Sequence, residues 1–328
     1  MPLQDRPEQF LSLLRSESAS GYVSGQALAK KAAISRSAVW KQITRLRRYG
    51  YTIESLHGAG YRLTGETDSP VPWELEKALG TSFVGSKIVY REALDSTQNL
   101  AMSIAGKPDS HGTVVIAEQQ KSGRGRIKRK WLSPKGGIWL SVVLHPSIPP
   151  ARITLLPFVA ALAVCEAIRE STKLDARLKW PNDVMVSGKK VAGILLDISA
   201  EAEQVNYAVI GIGLNANVDS SAIVSRLEND KITSVKDELE HETSRLVLTR
   251  LLLQKLEQYY LKLERDGAPG ILQKWKQRSD MLGRKVSVTQ GDRTIHGIAA
   301  DLNDDGSLLI KAEDKEITIT SGDIHVRY

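Results

Sequence analysis

The sequence predicts an α+β protein in three parts: a basic helical head, a central mixed α/β sheet and a small C-terminal β-barrel. Three observations predict this. Ser24 to Leu63 reads as helix, tight turn, helix and alternating hairpin. From Ile88 to about Asn217, strands rich in Val and Ile are interleaved with helical segments. From Gly283 onward, short alternating strands are divided by turn residues. At 328 residues the chain is long for a single core. The boundaries expected are residues 1–66, 67–276 and 277–328.

Composition sets limits on function. Hydrophobic residues make up 41% and charged residues 25%, which excludes wholesale disorder. No apolar run is read as long enough to span a membrane, and "MPLQDRPEQF" carries charges where a secretory signal needs an apolar stretch. A cytoplasmic protein without a membrane partner is the expectation. One sulfhydryl, Cys165, builds neither a disulfide nor a thiolate zinc site. In "FVAALAVCEAIRE" it reads as a small core residue. The six histidines lack HxxxH spacing, which argues against a histidine metal site.

The net charge is +7, and it is unevenly placed. Residues 1–64 hold ten Lys and Arg against four acids, so nearly all the excess lies in the first fifth of the chain. Long-range attraction for a polyanion therefore belongs to the head.

In "SGQALAKKAAISRSAVWKQITRLRRYGYTIESLHGAGYRL", Ser24 can cap a first helix whose Leu28 and Ala32 point inward. Ser35 can cap a second, from Arg36 to about Tyr49, with Val39, Ile43 and Leu46 as its apolar stripe. Gly50 ends that helix, and "YTIESLHGAGYRL" alternates like a wing with a Gly-Ala-Gly turn. This is a winged helix-turn-helix. Ser24 and Gly25 open the first helix, while Arg36, Ser37, Trp40, Lys41 and Thr44 lie off the stripe, free to meet DNA. The competing reading is a basic packing module that touches no nucleic acid. "TGETDSPVPW" suits a short linker.

The central region reads as strand, turn and helix in "KIVYREALDSTQNLAMSIA", then strands in "GTVVIAEQQ" and "GGIWLSVVLHP". A long helix, "ITLLPFVAALAVCEAIRES", comes next. "ARLKWPNDVMVSGKKVAGILLDIS" is a strand, turn, hairpin and strand, and "NYAVIGIGLNANV" is a last buried strand. The sheet is expected to carry helices on one face. "LTRLLLQKLEQYYLKLERDGAPGILQKWKQRS" reads as two helices divided at "DGAPG", and the tail as an SH3-like barrel with turns at Gln290-Gly291 and Asp305-Gly306.

Three constellations could carry chemistry. Lys121 to Lys130 bears six cationic side chains, with Gly123 and Gly125 between them and Trp131 next. Glycines let backbone amides approach a ligand, and Arg124 and Arg126 offer forks for phosphate or carboxylate. Such a run reads as a lid over an anion, as a solvated loop, or as a second DNA contact. "KWPND", Lys179 to Asp183, offers a point charge and turn oxygens for magnesium or hydroxyls, or is an Asn-Asp turn beside a packed Trp180. "GIGLN", Gly211 to Asn215, formally meets GxGxxA with Ala216, but the required helix does not follow. No GxxxxGK[ST] motif is present.

In this order, the basic head with "DSTQN", "GRGRIKRKW", "KWPND", "VAGILLD", "GIGLN" and the C-terminal module resembles the biotin–protein ligase family. The resemblance includes members that also repress biotin-synthesis genes. It implies a catalytic domain of the class II synthetase and biotin ligase type. ATP, Mg²⁺ and biotin would be used, with biotin carboxyl carrier protein of acetyl-CoA carboxylase and operator DNA as partners. It also implies a homodimer when biotinyl-AMP is bound, with the "GGIWLS" strand near its surface.

By the same resemblance, Ser96, Thr97 and Gln98 would line the biotin pocket, with Gln120 and Arg124-Gly125-Arg126 closing over it. Lys179 would sit between the biotin carboxylate and the α-phosphate, with Arg124 and Arg126 sharing its catalytic role. Trp131, Asn182 and Asn215 would meet the nucleotide, Asp183 the magnesium, and Gly193, Ile194 and Leu195 would form a wall. Two departures stand out: Lys128 replaces a further glycine of the lid, and "STQN" reverses the Asn and Gln of some relatives. A ligand-sensing repressor without catalysis, and a ligase for lipoate or another acyl acid, are the alternatives.

Overall fold

A computed structural model describes residues 6–127, 129–201, 204–224, 231–290, 293–313 and 315–326. Two compact units divide the chain after Glu74.

The first unit holds α1 (Pro7–Glu17), α2 (Gly25–Ala32), α3 (Arg36–Arg48) and the hairpin β1 (Thr52–Leu56) with β2 (Gly60–Gly65). Ser24 and Ser35 cap α2 and α3 by accepting from the Ala27 and Ala38 amides, both at 3.1 Å. Val39, Ile43 and Leu46 are buried as the stripe requires. Sequence reading missed α1, whose Pro7 occupies the first turn and whose Phe10, Leu11 and Leu14 have no exposure.

The expected linker is no solvated spacer. Val71 is fully buried, the Thr67 hydroxyl donates to the Tyr49 carbonyl, and Trp73 Nε1 donates to the Tyr51 hydroxyl at 2.7 Å. Glu74 accepts from Tyr51 at 2.6 Å and pairs with Arg15 at 2.8 Å. These contacts carry the head's packing past residue 66 to Glu74. The short α4 (Pro72–Leu75) spans the division.

The second unit is built on a seven-stranded sheet ordered β3-β4-β5-β9-β8-β7-β6. Its strands are β3 (Lys87–Leu94), β4 (Thr113–Gln120), β5 (Ile138–Leu144), β6 (Arg177–Lys179), β7 (Asp183–Val186), β8 (Lys189–Ala200) and β9 (Val205–Leu214). Only β3 and β4 pair in parallel; the other pairings are antiparallel.

Helices cover both faces of this sheet, not one. The pleat sends Val115, Val143 and Val209 to one side, where Ala101 and Ala105 of α5 (Thr97–Ala105) meet them. Val114, Ile116 and Val142 face the other side and join the main core with α6 (Leu156–Thr172), α9 (Arg245–Asp266) and α10 (Pro269–Arg278). Two short helices, α7 (Ser220–Val224) and α8 (Val235–Leu239), lie between β9 and α9.

Pro150–Thr172 does have the length and apolarity of a membrane span, contrary to the sequence reading, but 72% of its most apolar 18-residue stretch is buried in the fold. It is the core helix of the sheet. Cys165 on it is fully buried, and that burial pushes its thiol up to about 12, so it is no nucleophile. In the "GGIWLS" stretch, β5 is paired on both edges and buried along its whole length, while Gly136 before it is partly exposed.

The tail forms a five-stranded antiparallel sheet ordered β13-β12-β11-β10-β14. It comprises β10 (Lys285–Gln290), β11 (Arg293–Leu302), β12 (Leu308–Ala312), β13 (Lys315–Ile319) and β14 (Asp323–Val326). Gly306 takes φ +82° in the expected Asp305-Gly306 turn, whereas Gly291 lies outside the described residues. The sheet shares one continuous core with the central domain, through Val286, Ile310 and Ile324 among others. Trp180 joins the two directly: its indole N–H donates to the Gly306 carbonyl at 3.0 Å.

Candidate active site

A cavity of about 300 Å³ lies in the second unit, where the segment between β4 and β5 folds back over β8 and β9. At one end are Thr97 and Gln98, the first residues of α5. Ser96 caps that helix, accepting from the Asn99 amide at 3.4 Å, and is buried without lining the cavity. Thr97 donates to Gln120 Oε1 from its amide at 2.7 Å and its hydroxyl at 3.1 Å. Gln98 accepts from the Ser141 hydroxyl at 2.9 Å and donates to the Val209 carbonyl at 3.0 Å. A Cβ on Gly211 would stand 2.5 Å from Gln98 Oε1, so the close approach of the two requires glycine.

The basic run is held, not loose. Arg124 donates to Asp197 and to Asn99, both at 3.0 Å. The Gly125 amide donates to the Arg129 carbonyl at 2.8 Å, and Arg126 donates to Asn182 Oδ1 at 2.9 Å. These oxygen acceptors offset the self-repulsion that would otherwise spread the run. Lys128 lies outside the described residues. Trp131 follows and lies against Gly193 and Gly213, where a Cβ would come within 2.9 and 2.4 Å of its ring atoms.

The far end is formed by Asn182, Asp183 and Asn215. Asn182 is clamped to Ile194, donating to its carbonyl at 2.6 Å and accepting from its amide at 3.0 Å. Asp183 pairs with Lys190 at 2.7 Å. Asn215 donates to the Thr233 carbonyl at 2.9 Å, while its Oδ1 is buried without a partner; so is Trp131 Nε1. Buried polar atoms left so are costly, and both residues line this space.

Gly193, Ile194 and Leu195 line the wall as expected. Lys179 does not: it ends β6 opposite Asp183 and is absent from the lining. Trp180 is buried as a packing residue, with its amide on Met281 Sδ at 3.3 Å. Ser141 and Lys190, which the sequence reading left without a role, also line it, as do Arg129, Lys130 and Gly213 from motifs it named without assigning them individually. A serine in the apolar "IWLSVVL" and alternate glycines in "VIGIGL" were legible signals for Ser141 and Gly213.

The donor set fits magnesium only in part. Among the described residues no group of three or more His, Cys, Asp or Glu could cage an ion. Asp183 supplies one carboxylate, which suits an ion brought mainly by nucleotide phosphates.

In the first unit, Ser24, Gly25, Arg36, Ser37 and Trp40 line a groove bounded by the hairpin turn His57 to Gly60. Trp40 is 59% exposed, unusual for a large apolar side chain. Lys41 is exposed and Thr44 partly so, and neither lines the groove.

The profile of the Biotin/lipoate A/B protein ligase family matches residues 90–215, with an HTH domain over 6–62 and a Biotin protein ligase C terminal domain over 281–327. The Bifunctional ligase/repressor BirA of Bacillus spizizenii is 33% identical over 95% of this chain and 96% of its own length. That of Escherichia coli is 28% identical over 94% and 92%. The Aquifex aeolicus biotin protein ligase, solved with biotin and ATP, superposes with a TM-score of 0.63 at 29% identity, over 74% of this chain and 99% of that one. The chain belongs to the biotin–protein ligase family. Within it, the chain is similar over nearly its whole length to members named as both ligase and repressor.

Proposed function

We infer that the protein is an ATP-dependent biotin–protein ligase that also represses transcription. The observation that carries this is a single cavity in which Thr97 and Gln98, the Arg124–Arg126 lid, and Asn182 with Asp183 surround one space. The biotin carboxylate attacks the α-phosphorus of ATP, the bond to pyrophosphate breaks, and biotinyl-AMP forms. A lysine amine of biotin carboxyl carrier protein then attacks the acyl carbon and releases AMP. Two anions must meet in a site where repulsion grows as water leaves, so fixed cations facing the cavity lower the barrier.

Thr97, Gln98 and Gln120 are assigned to biotin, and Trp131, Asn182, Ile194 and Asn215 to the nucleotide. Arg126, bound to Asn182, joins the lid to the nucleotide end. Asp183 would help hold magnesium, which supplies charge neutralisation at the phosphates when bound. Operator DNA is assigned to the groove of Arg36, Ser37 and Trp40, with the hairpin as its wing. A homodimer matching a two-fold operator, and a cytoplasmic location, complete the reading.

Biotin-dependent exchange of labelled pyrophosphate into ATP tests the ligase. Biotin binding without exchange would instead mark a sensor. Equal competition by lipoate would mark a different acyl substrate. A gel shift with a biotin-gene promoter, with and without biotin and ATP, tests repression.

A further inference from the structure

We propose that Arg245 is a positioning residue for the lid: its guanidinium fills the fork where β4 and β5 part, and fixes the spacing of the lid's two stems. The inference rests on the ligase reading above for what the lid covers.

Arg245 stands first in α9, directly after the Ser244 cap. The helix macrodipole opposes a cation at that end and favours an acid. Arginine is also rarely buried unless it is paired, yet Arg245 is only 8% exposed. Helix stability therefore does not account for this residue; its partners do.

Those partners lie on the two stems of the lid. Arg245 Nη1 donates to Glu118 Oε1 at 2.8 Å and to the Gly137 carbonyl at 3.3 Å. Glu118 belongs to the last turn of chain before the lid leaves β4, and Gly137 directly precedes β5. The antiparallel pairing of β4 with β5 ends at Ala117 and Trp139. Beyond that pair each strand follows its other neighbour: β4 pairs with β3 as far as Gln120, and β5 with β9 from Ile138. The fork opens at the residues that Arg245 joins.

Both stems are braced on their outer sides. The Tyr90 hydroxyl donates to Glu118 Oε2 at 3.2 Å, and the Asn217 amide donates to the Gly136 carbonyl at 2.7 Å. The guanidinium then sets the distance between them. Gln120, which accepts from Thr97, lies two positions along the strand from Glu118, so a shift of this stem reaches the Thr97 end of the cavity. Arg245 itself is absent from the cavity lining, so it acts through the lid and not on a ligand.

The test compares the full wild-type chain with Arg245→Lys and with a double variant, Glu118→Gln plus Arg245→Met. Removing one partner of a buried pair strands the other charge, whereas removing both leaves no unpaired charge, so the double variant is the one expected to fold. Trypsin reads the lid directly, because Lys121 to Lys130 offers six basic cleavage sites. Well below its melting temperature, the double variant should be cut in that run about tenfold faster than wild type, the worth of one hydrogen bond to a charged group. Bound biotinyl-AMP should leave faster by a similar factor, and Arg245→Lys, which keeps the charge, should fall between. Wild-type cleavage of the run in the folded double variant would overturn the proposal. So would acceleration spread evenly along the chain, which marks a merely structural pair. Should the double variant not fold, Arg245→Lys decides by the same comparison. If wild type supports no biotin-dependent exchange, the ligase reading fails while the cleavage pattern still judges the fork.

Discussion

Gly193 and Gly213 are direct partners across β8 and β9, and together they form the bare patch on which Trp131 lies. A methyl at Gly213 would stand 2.4 Å from Trp131 Nε1. Gly213→Ala is therefore expected to lift the indole, change its fluorescence and raise KM for ATP. Overpacking of this kind costs about 1–3 kcal/mol, so the melting temperature should fall by several degrees. An unchanged emission spectrum would refute the contact.

Arg126 reaches from the lid to Asn182 with one hydrogen bond at 2.9 Å. Arg126→Ala should release biotinyl-AMP about ten- to a hundredfold faster, with the melting temperature nearly unchanged, since a charge-assisted bond is lost at a part-exposed position. Rapid filtration of the enzyme-bound adenylate measures this.

Glu257 on α9 accepts from the Ser82, Phe83 and Val84 amides at 2.6 to 2.8 Å. Burial alone would raise its pKa, but these amides and the Ser82 hydroxyl outweigh burial and hold it below the usual carboxylate range. Its stabilisation is present above the unfolded value of about 4.3 and is lost as pH falls through the lower folded value. Glu257→Gln should cost about 2 kcal/mol at pH 7, with the difference from wild type shrinking in acid. Denaturant melts across that range decide it.

His111 stacks on Phe83 at 4.4 Å, and its Nδ1 accepts the His145 amide at 3.0 Å. Burial first, and His145 second, lower its pKa; Glu257 and Glu264 oppose them weakly. The fold thus prefers neutral His111, and stability should fall as pH drops below the unfolded value of about 6.5. In His111→Asn, whose side-chain oxygen can still accept, melting temperature between pH 7 and 5.5 should decline less steeply.

On the head, Lys41 is exposed on α3 beside the groove. If it meets a phosphate, Lys41→Ala should weaken operator and unrelated DNA alike and flatten the log K against log salt slope by about 0.9. Trp40→Ala should instead weaken the operator selectively.

Local signals were legible where chemistry is local. Ser24 and Ser35 announced their helices because a cap needs only its own first turn. Gln120 and Gly125 were placed by motif, and the cavity does gather them. What was hidden depends on register. Nothing in "SGKKVAG" distinguishes Lys189 from Lys190, because the bulge at Val191 exists only against Val184 and Met185. Lys179, the first residue of its motif, misses the lining for the same kind of reason: a three-residue strand end decides its direction. The second covered face of the sheet escaped notice because the apolar residues that α5 buries fully are only Ala101 and Ala105, which carry little pattern.

The bond from Trp180 to Gly306 makes the tail sheet a support for the site, although none of its described residues lines the cavity. Asn182 stands two positions from an indole whose orientation is set by a distant turn. Trimming or unfolding the tail sheet would therefore cripple adenylation from afar, and a lesion there would masquerade as a defect in substrate affinity.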